Sequence, residues 1–325
     1  MSPLSRFAHT STVVTRIPRA VLLVMVALFA TAASLCGPAA ASADTGTSAA
    51  HYYGYWNYDQ PDNLTLNNVA VLACPDGGGQ CDAQLPLPLR IPQVGWVLFS
   101  PGPGGTVNGL TDQGCTWNFT VHPTWLQLSS TTQECFNHNI GSSYNLTKWS
   151  VRVDGDKETE AIESISHQPN GVDLIASMKS GSRTKVGNGE GNNKFVHRFL
   201  GDFTYNPADF HTLTNVVSTD TGTVYPQQGA VHITRTGHTT INAHTPDGCD
   251  WTLALRGNTA ELDPATQTCH TPHGDTSLRY WALVTDDGQH LNGFLSGSTT
   301  AQGQPPTNIY LFVGALTRAC PTRDQ

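Results

Sequence analysis

Histidines, clustered carboxylates and tryptophans are the side chains of this 325-residue chain whose types and spacing invite chemistry. Cys269-His270-Thr271-Pro272-His273 sets two imidazoles just after a cysteine, and Cys135-Phe136-Asn137-His138 sets one at nearly the same place earlier in the chain. Imidazoles grouped in this way can ligate a metal or act as a base near neutral pH. Pro272 interrupts the pair and turn-forming residues surround it, so a solvated loop is the plainer reading. The run Asp154 to Glu160 is acidic enough to raise calcium, but it lacks the twelve-residue spacing and closing glutamate of an EF-hand. An Asp-Gly turn between strands accounts for it, and for Asp286-Asp287-Gly288.

The common catalytic signatures are missing from the sequence: no G-x-S-x-G elbow, no H-E-x-x-H helix, no G-x-x-x-x-G-K loop. Gly293-Phe294-Leu295-Ser296-Gly297 has one residue too many for the elbow and reads as a strand. Trp56, Trp117, Trp149, Trp251 and Trp281, with Phe203, fall on strands at positions that recur along the chain. Aromatic rings there belong to a core, or line a cavity that takes an apolar ligand. Trp117, Trp251, His138, His270 and His273 are the candidate ligand contacts. No catalytic residue, metal or cofactor is assigned.

The elements that must position these side chains are written twice. Residues 106–135 align without a gap on 240–269 at a constant offset of 134, with ten of thirty positions identical. Cys115/Cys249, Trp117/Trp251 and Cys135/Cys269 are among them, and rare residues matched in this way are hard to obtain by chance. Gly54-x-Trp56 upstream parallels Gly201-x-Phe203, and Trp149 and Asp154 downstream parallel Trp281 and Asp286. Cys115, Trp117, Phe119 and Val121 alternate with polar residues, as do Cys249, Trp251, Leu253 and Leu255, which marks strands with one buried face. Pro123 and Gly257-Asn258 then signal turns. Only residues 157–165 hint at a helix. The glycine-bearing stretch 179–194 reads as a long hairpin loop or a linker. Many short strands punctuated by Gly and Pro predict an all-β chain, a tandem pair of antiparallel β-barrels or β-sandwiches.

The cysteines read as staples. In each copy the first opens a strand and the second closes its hairpin partner, which predicts Cys115–Cys135 and Cys249–Cys269. Cys74 and Cys81 flank a Gly-rich loop that the second copy lacks, and pair locally. Cys320 is left without a mate. Zinc needs close C-x-x-C pairs, which are absent.

Export fits such a scheme. Arg6, Arg16 and Arg19 precede an apolar run from Ala20 to Cys36, and Ala41-Ser42-Ala43 offers the A-x-A site of a signal peptidase. The run is shorter than a comfortable membrane span, and Leu35 before Cys36 is a poor match to a lipoprotein signal. The expected organisation is a signal peptide over 1–43 cleaved near Ala43, a flexible N-terminus over 44–50, a first β domain over 51–199, a second over 200–320 and a tail over 321–325. Without residues 1–43 the chain carries 14 Lys+Arg against 25 Asp+Glu, a net charge of −11 where the whole chain has −8. That disfavours nucleic acid, which needs a basic footprint, and adhesion to anionic membranes.

Gly54-x-Trp56 at the start of the first β segment resembles the opening motif of lipocalins and related calycin barrels. The resemblance implies a closing arginine packed across that ring, a part open to Arg318 or to Arg198. The pattern Gly-Cys-x-Trp … Thr-Gln-x-Cys, present twice, is also similar to that of uncharacterised secreted actinobacterial proteins, which bring no activity with them. The resulting expectation is a secreted, non-catalytic binding protein whose partner is a small apolar ligand or an extracellular protein. A secreted enzyme with an unfamiliar constellation, and an extracellular inhibitor or cell-surface component, are the alternatives. Function is expected where the copies disagree: the Cys74–Cys81 loop, 156–165 and 179–194, all in the first repeat.

Overall fold

The computed structural model describes residues 48–319 apart from 63–65, 76–80, 82–89, 131–132, 138–141, 169–170, 187–194, 209–213, 219 and 273. His138, His273, Cys36 and Cys320 therefore lie outside the described residues, as does the segment read as a signal peptide. From Thr45 onward the chain is one compact unit.

The first repeat consists of β1 (Gly54–Tyr58), β2 (Asn68–Pro75), β3 (Arg90–Pro92), β4 (Trp96–Pro101), β5 (Val107–Thr111), β6 (Thr116–His122), β7 (Trp125–Leu128), β8 (Glu134–Asn137), β9 (Ser142–Asp154), β10 (Lys157–His167) and β11 (Val172–Lys185). A one-turn helix, α1 (Val196–Phe199), leads into the second repeat. That repeat begins with β12 (Gly201–Tyr205), β13 (Asn215–Ser218), β14 (Val224–Pro226), β15 (Ala230–Arg235), β16 (Thr240–His244) and β17 (Asp250–Arg256). It continues with β18 (Thr259–Leu262), β19 (Gln267–Thr271), β20 (Gly274–Val284), β21 (His290–Ala301), β22 (Thr307–Leu311) and β23 (Leu316–Arg318).

Both repeats close into antiparallel eight-stranded barrels, in the orders β1-β4-β5-β6-β7-β9-β10-β11 and β12-β15-β16-β17-β18-β20-β21-β23. A barrel, not a sandwich, is the architecture. Closure removes the unpaired edges that an open sheet of this size would expose. The long strands run on past each barrel and carry further strands, β8, β2 and β3 in the first repeat and β19, β22, β13 and β14 in the second. Single β11 thus corresponds to the broken pair β22 and β23.

The alternation that marks β6 and β17 holds: Trp117, Phe119 and Trp251 are buried between exposed neighbours, and Leu253 is buried between exposed Thr252 and half-buried Ala254. All five recurring tryptophans and Phe203 are buried. The structure pairs Cys115 with Cys135, Cys249 with Cys269 and Cys74 with Cys81. One detail of the expected staple is corrected. The return strand β7 ends at Leu128, and Cys135 sits on the next strand, β8, which pairs with β9. Gln133 explains why that strand follows so closely, because its Oε1 accepts from the Asn118 backbone N–H at 3.0 Å. Gln267 does the same for Thr252, also at 3.0 Å. A second correction concerns residues 157–165, which lie within β10 and form no helix. A two-residue turn at Gly155-Asp156 reverses the chain, and pairing with β9 on one side and β11 on the other imposes a period of two. Residues 179–185, likewise, continue β11.

The barrels meet through a polar seam and an apolar cluster. Asn57 Nδ2 donates to the Arg256 carbonyl, and Asn258 Nδ2 donates to the Tyr58 carbonyl at 3.0 Å and to Asp286 Oδ1 at 2.8 Å. Gly257 makes the approach possible. Its φ is +60°, and an added Cβ would meet Val186 Cγ1 at 2.5 Å and Asn57 Nδ2 at 3.2 Å. Val94, with Ile91 beside it, packs into a cluster with Ala282, Val284, Phe294 and Phe312 from the outer side of the second barrel. Asn258→Ala should therefore cost about 1–3 kcal/mol and lower a single cooperative melting transition, read by circular dichroism. An unchanged midpoint would count against the seam.

Candidate functional site

The inward residues of β10 are Glu158, Glu160, Ile162, Ser164 and Ser166, a charged-to-apolar-to-hydroxyl gradient along one strand face. Arg183 on β11 stands opposite both Tyr58 of β1 and Glu158 of β10. Its Nη1 lies 2.7 Å from Glu158 Oε1 and 2.6 Å from Glu160 Oε2, and its Nη2 donates to the Tyr58 hydroxyl. Trp149 Nε1 donates to Glu160 Oε2 at 2.7 Å. The guanidinium also sits 4.1 Å over the Tyr58 ring and 5.4 Å from the Trp149 ring. Gly181 makes space for this arrangement, since a Cβ there would meet Glu160 Cγ at 2.3 Å.

The whole cluster is buried, Glu158 fully so. Burial pushes the Glu158 carboxyl up to about 8; Arg183 pulls it down and Glu160 pushes it further up. At neutral pH the Glu158 carboxyl therefore faces Arg183 mainly in its protonated form. Among the described residues, Arg183 Nε, Glu158 Oε2 and Glu160 Oε1 have no hydrogen-bond partner.

Beside this cluster lies a partly open cavity of about 460 Å³, walled mainly by residues of the first repeat. Arg183 and Tyr58 line its charged end; Glu158 and Glu160 stand behind them. Trp117, Trp149, Leu146, Ile162 and Met178 form its middle, and Ser142, Ser166 and Gln168 its hydroxyl- and amide-bearing end. The second repeat supplies the remaining wall through Tyr280, Phe294, Tyr310 and Phe312. A volume of this size falls within the usual range for small-molecule sites.

The matched positions of the second barrel are apolar. Tyr205 stands opposite Leu316, and Leu316 opposite Leu291, so these leucines replace Arg183 and Glu158. Gly293, paired with Leu283, replaces Glu160, which is paired with Val151. Leu291, Leu316, Leu283, Trp251 and Trp281 belong to one continuous core.

Asp112 places a carboxyl group on the cavity wall. Burial pushes its carboxyl up to about 8 and Glu261 of the second barrel pushes the same way. Tyr280 donates to Asp112 Oδ2 at 2.9 Å, and Trp96 Nε1 donates to Glu261 Oε2 at 3.0 Å. Both bonds cross from one barrel to the other.

Of the residues singled out from sequence, Trp117 lies on the cavity wall and Trp251 lies in the packed core of the second barrel. His270 is exposed on β19, 2.8 Å from Asp275. The structure does not bring these three together, and His138 and His273 lie outside the described residues. Among the described residues no group of histidines, cysteines or carboxylates could hold a metal ion. Sequence reasoning missed Arg183, Glu158 and Glu160. The signal was present: inward charges at a period of two whose counterparts, Leu291 and Gly293, are uncharged.

A cationic side chain lies over the first-strand aromatic ring of each barrel. Arg318 lies 4.5 Å over the Phe203 ring and donates to the Leu200, Arg198 and Gly288 carbonyls. Its first-barrel counterpart is Lys185, 5.1 Å from the Trp56 ring, since Trp56 pairs with Lys185 as Phe203 pairs with Arg318. Arg198 instead covers Phe195.

No protein-family model matches this chain, and no curated protein matches it. Among solved structures, a "putative outer membrane protein" from Bacteroides fragilis NCTC 9343 is similar at 10% identity and a TM-score of 0.24, over 82% of this chain and 97% of that one. A protein of unknown function of the DUF3598 family from Nostoc punctiforme PCC 73102 is similar at 6% identity and a TM-score of 0.26, over 83% and 97%. Similarity at this level carries no functional argument.

The native protein holds the Glu158 proton up to about pH 8, whereas an ordinary glutamate releases it near 4.5. The stabilisation it gives is complete below pH 4.5 and is lost as pH rises through about 8. Thermal midpoints should fall across that window, and Glu158→Gln should flatten part of the fall. An identical pH profile in the variant would contradict the buried, protonated Glu158.

Proposed function

We propose that this is a secreted, non-catalytic binding protein, with the cavity of the first barrel as its site and a small, largely apolar molecule as its ligand. One observation carries the reading. The same barrel occurs twice in one chain, and only in the first do an arginine and two glutamates stand where the other places Leu316, Leu291 and Gly293. Replacing a buried ion cluster with well-packed apolar residues is often neutral or stabilising by about 1–4 kcal/mol. Stability alone therefore gives no reason to keep the charged version.

Three disulfides accord with an oxidising, extracellular setting. The Arg318–Phe203 and Lys185–Trp56 contacts support a calycin-like barrel, a class whose interior suits one small ligand. With the domain boundary taken near residue 200, the cavity falls mainly to the first domain and its cover to the second. An enzymatic reading would rest on Asp112, a carboxylic acid held protonated near neutral pH on the cavity wall. That carboxyl is engaged by Tyr280 at the contact between barrels, and we assign it to that contact.

Ala176 lines the cavity, and Ala176→Phe puts a ring into it. Nile red, a neutral apolar dye, should bind the natural protein with enhanced fluorescence. The variant should bind it at least about tenfold more weakly, a difference of about 1.4 kcal/mol, while keeping a cooperative melt. Equal binding by both proteins, or no binding by the natural one, would overturn the assignment.

A further inference from the structure

The polar groups open to a ligand lie at the hydroxyl- and amide-bearing end of the cavity. Ser164, Gln113 and Gln168 line it, each of them half-buried. Among the described residues, Ser164 Oγ, Gln113 Nε2 and Gln168 Oε1 make no hydrogen bond, and each atom keeps accessible surface. Their neighbours hold them in place. Gln168 Nε2 donates to Ser166 Oγ at 2.8 Å, and the Tyr144 hydroxyl donates to Gln113 Oε1 at 3.0 Å. The wall thus offers a free amide donor, a free amide acceptor and a hydroxyl that can act as either. The second repeat has no such hydroxyl at the matched place. Gly297 pairs with Leu278 as Ser164 pairs with Leu146, and a Cβ on Gly297 would collide with the Ser277 carbonyl. The close-packed copy therefore carries no side chain where the open copy carries Ser164.

The charged side chains of the wall are already engaged. Arg183 is held by Glu158 and Glu160, and Asp112 accepts from Tyr280 at 2.9 Å. A ligand anion would meet those carboxyl groups and a ligand cation would meet the guanidinium, so neither charge finds a free partner. The cavity is also long for its volume. Arg183 lies level with Glu158, and Ser164 stands six residues further along β10, about 20 Å of extended strand. A sphere of 460 Å³ would be only about 10 Å across. Between the two levels the walls are apolar, with Ile162 and Met178 on one side and Phe294 and Phe312 on the other.

We infer that the ligand is a single-chain amphiphile with a neutral, alcohol-type head. Its hydroxyl exchanges hydrogen bonds with Ser164 Oγ, and its chain lies along β10 past Ile162 and Met178. This rests on the reading of the first-barrel cavity as a binding site and adds the chemical class to it. Ser164 selects the head, with the Gln113 and Gln168 amides beside it, and the engaged Arg183 cluster gives acids no counter-charge.

Calorimetric titration of the full chain with decan-1-ol, 1-methoxynonane, decanoate and decylammonium tests this, with Nile red binding as a parallel measurement. 1-Methoxynonane matches decan-1-ol in size but has no donor. Decan-1-ol should bind about fivefold more tightly than the ether, the ratio one neutral hydrogen bond gives, and the two charged analogues should bind most weakly. Each methylene added from hexan-1-ol to decan-1-ol should tighten binding about fourfold, the effect of burying one CH₂. In Ser164→Ala the alcohol-to-ether ratio should collapse towards one, a readout independent of any general loss of affinity. Equal binding of alcohol and ether would overturn the inference. So would tightest binding of a charged analogue, a flat chain-length series, or survival of the ratio in Ser164→Ala. If none of these molecules binds while Nile red does, the ligand class is wrong and the cavity reading stands. If Nile red also fails, both fall.

Discussion

A guanidinium sealed inside a β-barrel dictates much of what surrounds it. Arg183 is 1% exposed, and an unpaired charge at that depth would cost several kcal/mol or more. It therefore recruits Glu158 and Glu160 from β10, the Tyr58 hydroxyl from β1 and two aromatic faces. Glu160 in turn holds the Trp149 indole and requires a glycine at position 181. Polar groups that must face one another cannot also interdigitate with the apolar chains above them. The cavity beside the cluster follows from this constraint, as the packed core of the second barrel follows from Leu316 and Leu291.

The second barrel is not a passive duplicate. Phe294 and Phe312 turn outward from it and complete the cavity of its neighbour, while its own interior closes on a single core. The outward face of the copy thus forms one wall of the cavity. The seam of Asn57, Asn258 and Asp286 fixes that wall in register with the cavity. The bonds Tyr280–Asp112 and Trp96–Glu261 reinforce it at the cavity's edge. Duplication thus yields one continuous unit with unequal parts.

The frame was legible in the amino-acid sequence because it is written locally. Period-two alternation announces β6 and β17, and the repeated Gly-Cys-x-Trp … Thr-Gln-x-Cys pattern encodes a turn, a strand, a staple and the glutamine that ties the staple's strand back. Residues 157–165 misled, since Glu and Lys favour helices when read alone and strand pairing on both flanks overrode that preference. The site was hidden for a different reason. Arg183 meets Glu158 from 25 positions away and Tyr58 from 125. Barrel register alone makes them neighbours. The phenylalanines of the cover lie on strands of the other repeat, and no local pattern distinguishes an outward ring that closes a neighbour's cavity. Trp117 was found because the repeat flagged it; its partner Trp251 was flagged by the same logic and belongs to a packed core.

Xenon settles into apolar cavities that are large enough and stays out of close-packed interiors. Crystals of the protein held under xenon, with anomalous density mapped in both barrels, test the central claim that the charge cluster opens only one of them. The account predicts density between Leu146, Ile162 and Met178 in the first barrel and none around Trp251 and Leu316 in the second. Equal density in both interiors, or none in the first, would contradict it.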